Sequence, residues 1–208
     1  KRNRGDAERM IEDAMIAANE TVARFLEATG HTSVYRIHDH PDGDKLLSLK
    51  KMMAIFGVAE KLPKEPEPKD MQRLMESMKG KEIEAVVQVM TLRSLPQACY
   101  STENKGHFGI ASTCYTHFTS PIRRYPALMV PRLLPPTLRN RLNQSNQQKQ
   151  TEFLLRAVEH CSETEQNAVE TERDTADLKL PAYMVPFVGA PFDATIAVVF
   201  CACGFSGL

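Results

Sequence analysis

Apolar residues at Ile11, Met15, Ala18, Val22 and Phe25 recur in steps of three and four, which places them on one face of a helix from about Asp6 to Ala28. Gly30 supplies its stop. Val34 to His38 alternates apolar and polar side chains, the period of a short strand, and Pro41-Asp42-Gly43 turns the chain out of it. A second helix is expected over Asp44 to Phe56. Three prolines between Leu62 and Asp70 remove backbone donors and predict a loop. Helical patterning returns over Met71 to Met78, breaks at Gly80 and resumes from Ile83 to Leu92. From Phe187 to Leu208 the helical pattern disappears, and the Val-, Ala-, Phe- and Gly-rich stretch predicts two short strands about Cys203-Gly204. So short a segment cannot close a sheet, so it reads as the opening of a second domain.

Charge changes this picture in one place. The chain has 208 residues with 26 basic and 26 acidic side chains, a balance that excludes a disordered acidic or basic tail. Yet Lys105 to Gln150 holds no acid and seven bases: Lys105, Arg123, Arg124, Arg132, Arg139, Arg141 and Lys149. Acids then dominate from Glu152 to Asp177, in what reads as one long helix, and Leu142 to Gln150 reads as a polar connector before it. An acid-free block interleaved with Phe108, Tyr115, Phe118 and Tyr125 suits a polyanion whose bases can stack on rings. It equally suits pairing with the acidic helix that follows.

No apolar run approaches the roughly 18 residues a membrane helix needs, and the first ten residues lack a signal-peptide core. The five cysteines therefore read as reduced thiols of a cytoplasmic protein, and only Cys201 and Cys203 lie close together, too few for a zinc set.

The sharpest motif is YTHFTSPIRRY, Tyr115 to Tyr125. Ser120 and Pro121 are expected to open a helix, Ser as cap and Pro in the first turn. Arg123 and Arg124 then fall where the helix end is itself positive, so a bound anion would relieve the conflict. Thr119 and Ser120 add hydroxyl donors. A capped helix with exposed arginines is the plainer account of the same residues. His117 with Ser120 lacks the Gly-x-Ser-x-Gly elbow of a nucleophile. Arg36-x-His38-x-His40 could ligate a metal but more simply packs, and Asp13 with Arg9 is a helix-surface pair.

Taken together, YTHFTSPIRRYP, LRSLPQACY, GHFGIAS, DAERMIEDAMIAANETVARFL, VYRIHDHPD and HCSETEQNAVETERDTADLK resemble, in the same order, the RNB family of hydrolytic 3′-to-5′ exoribonucleases, its bacterial ribonuclease R branch in particular. VGAPFDATIAVVFCACGF resembles the first strands of the OB-fold domain that follows in that branch. The resemblance implies an α+β fold: a mostly helical C-terminal half of an RNB catalytic domain over residues 1–184, then the truncated start of an OB-fold RNA-binding barrel over 185–208. It implies a processive enzyme that takes the 3′ end of single-stranded RNA into a channel and releases nucleoside 5′-monophosphates by two-metal hydrolysis. The implied cofactor is Mg²⁺, held by aspartates that the family carries upstream of the stretch matching Lys1. Arg123 matches the arginine at the scissile phosphate and Asp13 a glutamate near the terminal nucleotide, and these are the catalytic candidates. Thr119, Ser120, Arg124, Tyr115, His117 and Tyr125 are the RNA-binding candidates. No metal ligand is assigned, a monomer is expected, and no membrane partner.

Two positions depart from the family pattern. Where it runs Tyr-Pro-Asp and then Val-His-Arg, this chain has Tyr125-Pro126-Ala127 and Val130-Pro131-Arg132. Ala127 deletes a carboxylate that would balance or orient the two arginines. Pro131 inside the expected helix costs roughly 3 kcal/mol or ends it. Three readings remain open at this point: an inactive fragment of such an exoribonuclease, a non-catalytic RNA-binding remnant, and a non-functional gene fragment.

Overall fold

Helix α1 (Asp6–Ala28) opens with the Gly5 N–H donating to Glu8 Oε2 at 2.7 Å, a carboxylate placed at the positive helix end. The structure is a computed structural model and describes residues 5–58, 62–81, 83–138 and 144–191. The extent of α1 is the predicted one, but its buried face is not. Ile11 and Phe25 stand 56% and 38% exposed, while Asn19, Ala23 and Leu26 are buried. The inward stripe is turned by about one residue because small Ala23 admits the strand below it, packing with Tyr35, Ile37 and Cys114. Asn19, polar, disguises the stripe in the sequence.

That strand, β1 (Tyr35–Ile37), pairs antiparallel with β2 (Cys99–Ser101), Arg36 facing Tyr100 in the register. Between them in sequence lie α2 (Gly43–Ile55), α3 (Pro68–Met78) and α4 (Glu84–Ser94). Asp42 caps α2 through its carboxylate. Pro68, expected in a loop, is instead in the first turn of α3, where the missing N–H costs nothing and Glu67 N–H donates to Asp70 Oδ2 at 2.9 Å. Leu46, Leu49, Met53, Met71, Leu74, Met78, Val87 and Phe108 form the core these three helices share.

Helix α5 spans Tyr125–Leu138 and α6 spans Gln144–Met184. Both correct the sequence reading. The Ser120-Pro121 step does not begin α5: Ser120 has φ +61°, residues 121–123 form a bend, and the helix starts at Tyr125 with Leu128 N–H bonded to Arg124 O. Nor does Pro131 end it. Ala127, Met129, Val130 and Leu133 bury on the core side, and burying each large apolar side chain yields about 1.5–3 kcal/mol, enough to outweigh a proline cost of about 3 kcal/mol. The polar connector is helical from Gln144 onward, its first turns docked by Gln147 on His31 at 3.2 Å and Thr151 on Thr32 at 2.9 Å. Leu154, Val158 and Cys161 then recur at helical spacing in a core with Leu26, Val34, Tyr100, Met129, Val130 and Leu133.

The chain divides into two compact units, 1–167 and 168–208. In the second, the rest of α6 leads to a single 3-10 turn at Val185–Phe187, with the rings of Tyr183 and Phe187 5.7 Å apart. The strands expected about Cys203-Gly204 lie outside the described residues. Among those described, no helix is long and apolar enough to cross a membrane.

Candidate nucleic-acid interface

The segment Ser112 to Thr119 lies along the outer edge of β1. Arg36 N–H donates to Tyr115 O at 2.9 Å, and Thr116 Oγ1 donates to Val34 O at 2.5 Å, so β1 is held on both sides. Phe118 enters the core behind it. Asn19, from the middle of α1, closes the far end: its Oδ1 accepts from Phe118 N at 3.0 Å and Thr119 N at 2.9 Å, and its Nδ2 donates to Tyr115 OH at 2.9 Å. Tyr115, His117, Thr119 and Ser120 are thereby brought onto one fixed loop, with Arg123 and Arg124 following on the bend into α5.

Electrostatics define what this loop can do. The His117 imidazole is pushed down to about 3, first by burial and then by Arg124, Arg36, the neighbouring His107 ring and Arg123. It is neutral at physiological pH. Burial pushes the Tyr100 hydroxyl up to about 12, against the opposing pull of Arg36, so it keeps its proton. Neutral Tyr100 OH and neutral His117 Nδ1 share a hydrogen bond at 2.8 Å, its direction set by the ring tautomer. With Nδ1 occupied, His117 is no activating base for Ser120 through that nitrogen. His107 is likewise held down to about 4 by burial, then by His38 and Arg36. The guanidinium groups of Arg123 and Arg124 and the Ser120 hydroxyl, beside neutral histidines, suit an anion, while Thr119 Oγ1 is buried beneath them in the loop. The loop is not a proton-transfer device.

The other candidates separate. Arg123 is exposed and Arg124 half-buried. Tyr125, half exposed, lines a groove of about 680 Å³ with Phe153, Arg156 and His160 of α6. Asp13 is exposed on α1, six residues before Asn19, about 9 Å along the axis. Arg9 approaches Asp6 at 3.9 Å, in place of the expected pairing with Asp13. His38 is structural, as its plainer reading held: Nδ1 accepts from Gly109 N at 2.9 Å and Nε2 bonds Pro96 O at 2.8 Å, so neither ring nitrogen is left for a metal. Among the described residues no three carboxylate, imidazole or thiol side chains converge to hold a cation. The described residues alone therefore do not fit a Mg²⁺ site.

Sequence reasoning missed Asn19, Tyr100 and Arg36. The signal for Asn19 was available in one form: a single amide at the head of the i, i+4, i+7 spacing with Ala23 and Leu26, where an apolar residue would be expected.

Comparison with known proteins fits this geometry. Residues 1–140 match the family model for the RNB domain. Ribonuclease R 1 of Lactococcus lactis is 42% identical over 200 residues, covering 96% of this chain and 24% of that protein. The chain thus spans about a quarter of that relative's length. The structure of Mycoplasma genitalium RNase R in complex with ribose-methylated single-stranded RNA superposes with a TM-score of 0.87 at 28% identity, over 96% of this chain and 32% of that one. Its apo form gives a TM-score of 0.88 over the same shares. Ordered motifs, a common fold and the family match converge on one statement: the chain belongs to the RNB family, with ribonuclease R relatives along nearly its whole length.

Proposed function

We propose that this chain is part of a processive 3′-to-5′ exoribonuclease for single-stranded RNA and supplies the grip on the backbone phosphates at its 3′ end. The observation that carries this is the loop from Tyr115 to Thr119, clamped by Asn19 and leading directly into Ser120, Arg123 and Arg124. An arginine fork meets phosphate oxygens bidentately, and its positive charge is worth most where charge accumulates in an in-line displacement. Arg123 takes that role. Arg124 and Ser120 hold the neighbouring phosphate oxygens, with Thr119 beneath them in the loop, and Tyr125 offers a ring face to a base. Asp13 lies toward the terminal nucleotide. The Mg²⁺-assisted hydrolysis that yields nucleoside 5′-monophosphates needs carboxylates that the described residues do not assemble. The free thiols Cys99, Cys114 and Cys161 suit a reducing compartment such as the cytoplasm.

A second reading, RNA binding without cleavage, is favoured by one site. Ala127 is fully buried directly below Arg124 in sequence, where the family pattern has a carboxylate. Titration of the chain with labelled oligo(A) over a salt series tests the shared part of both. Affinity should fall with salt, and replacing Arg123 and Arg124 together by Ala should shallow the log–log slope by roughly 0.7 per lost phosphate contact. A fold-intact chain with no affinity at low salt would remove both. In a complete enzyme, Arg123→Ala should lower turnover far more than affinity, and equal losses would remove its transition-state role.

A further inference from the structure

A carboxamide 3% exposed on the inner face of a helix is costly unless every polar atom is used. Asn19 uses its acceptor twice and its donor once, always on residues 96 to 100 positions away. The rest of that face, Val22, Ala23 and Leu26, is apolar, so the amide interrupts an otherwise apolar stripe. The bonds end on the two residues that precede Ser120, whose φ of +61° is a conformation that non-glycine residues adopt only when held from outside. Thr119 Oγ1, on the very residue whose N–H is clamped, is buried and finds no hydrogen-bond partner among the described residues. A carboxylate at position 19 could accept the same two N–H groups, but would set a negative charge beneath an anion-binding loop. The amide supplies the acceptor without the charge.

We infer that Asn19 is a positioning residue for the phosphate-gripping loop: by fixing the backbone of Phe118 and Thr119 it sets where Ser120, Arg123 and Arg124 present their donors to an RNA phosphate. This rests on the RNA-binding reading above, and Asn19 itself touches no phosphate.

The test combines amide exchange with RNA titration on the whole chain. In the unaltered protein, the Phe118 and Thr119 amides should exchange as slowly as that of Ala23, and bound oligo(A) should slow them further. Exchange at loop rates would overturn the proposal without any variant. In Asn19→Leu, these two amides should exchange roughly tenfold faster or more while Ala23 is unchanged, the local opening of a loop on an intact scaffold. The log–log salt slope for oligo(A) should shallow by roughly 0.7 to 1.4, one to two phosphates lost. A merely structural role would lower the melting temperature and leave that slope alone. An unchanged slope in folded Asn19→Leu, where the Arg123→Ala, Arg124→Ala double variant does shallow it, defeats this inference only. If the double variant has no effect either, the RNA-binding reading fails first.

Discussion

Arg36 and Glu165 join β1 to α6 by a forked ion pair: Nη1 meets Oε2 and Nη2 donates to Oε1 at 3.1 Å. The same guanidinium lies 4.5 Å from the centre of the Tyr100 ring. Arg36 is nearly buried, its side chain 12% exposed, whereas Glu165 is 35% exposed. Removing the carboxylate leaves a cation with little water and only the ring as partner. A fully buried pair would cost several kcal/mol when broken, and the exposure of Glu165 discounts this to roughly 1–2 kcal/mol. Glu165→Gln should therefore lower the melting temperature by several degrees, read by circular dichroism, with little response to moderate salt. A large salt dependence would mean the pair is exposed in solution.

The acidic run of α6 was legible as a helix, and its charge invited pairing with the basic block before it. Among the described residues, the ion pair that α6 makes goes to Arg36, far upstream, because strand pairing with Tyr100 brings that residue under α6. Local rules found α1 to within a residue and failed on its rotation, since Asn19 is buried for the sake of a loop a hundred positions away. They failed at Ser120-Pro121 for a related reason. A serine-proline step is a good helix start in isolation, but here the backbone before it is already committed to Asn19 and β1. The loop's motif was readable in the sequence; the bonds from Asn19 and β1 that hold it were not, because they are long-range.

Gly109 shows the same tightness just beyond the end of β1. Its N–H donates to His38 Nδ1 at 2.9 Å, and a Cβ at this position would lie 2.7 Å from that same nitrogen. The ring cannot retreat freely, since Nε2 is bonded to Pro96 O and the ring packs edge-on against His107 and Phe108. Gly109→Ala should destabilise the unit by about 1–3 kcal/mol, the range for overpacking a filled site. Thermal unfolding checks this. His38→Ala in the same background should recover part of the loss, and no recovery would show that the clash lies elsewhere.

His107 and His117 set a pH window. Their folded-state values of about 4 and about 3 lie below the ordinary 6.5, so the unfolded chain binds protons that the folded chain refuses. Above about pH 6.5 both states are neutral at these rings and stability is unaffected. As pH falls from there toward 4, stability is lost progressively, with up to two protons favouring the unfolded state. Carboxylates contribute little between pH 6.5 and 5, which isolates the histidines. Melting temperatures across that interval should fall steadily, and His117→Gln, which keeps a hydrogen-bonding group near Tyr100, should flatten the slope by about half. A level profile from pH 7 to 5 would contradict the buried, neutral assignment of both rings.

At Pro131 the expected change has the opposite sign. Helix α5 runs through this position with Ala127 one turn earlier and fully buried, so the missing N–H leaves the Ala127 carbonyl without its i+4 donor. The helix persists because its apolar face is held by Leu154 and Val158 of α6, and that packing does not depend on the proline ring being there. Pro131→Ala restores the donor and improves helix propensity while leaving the buried face untouched. Stability should rise by roughly 1–3 kcal/mol, the scale of a proline penalty in a helix interior partly recovered. Denaturant unfolding should show a higher midpoint with an unchanged m-value. A lower midpoint would mean that the ring itself fills space in the α5–α6 contact, and that the chain has built its packing around the proline.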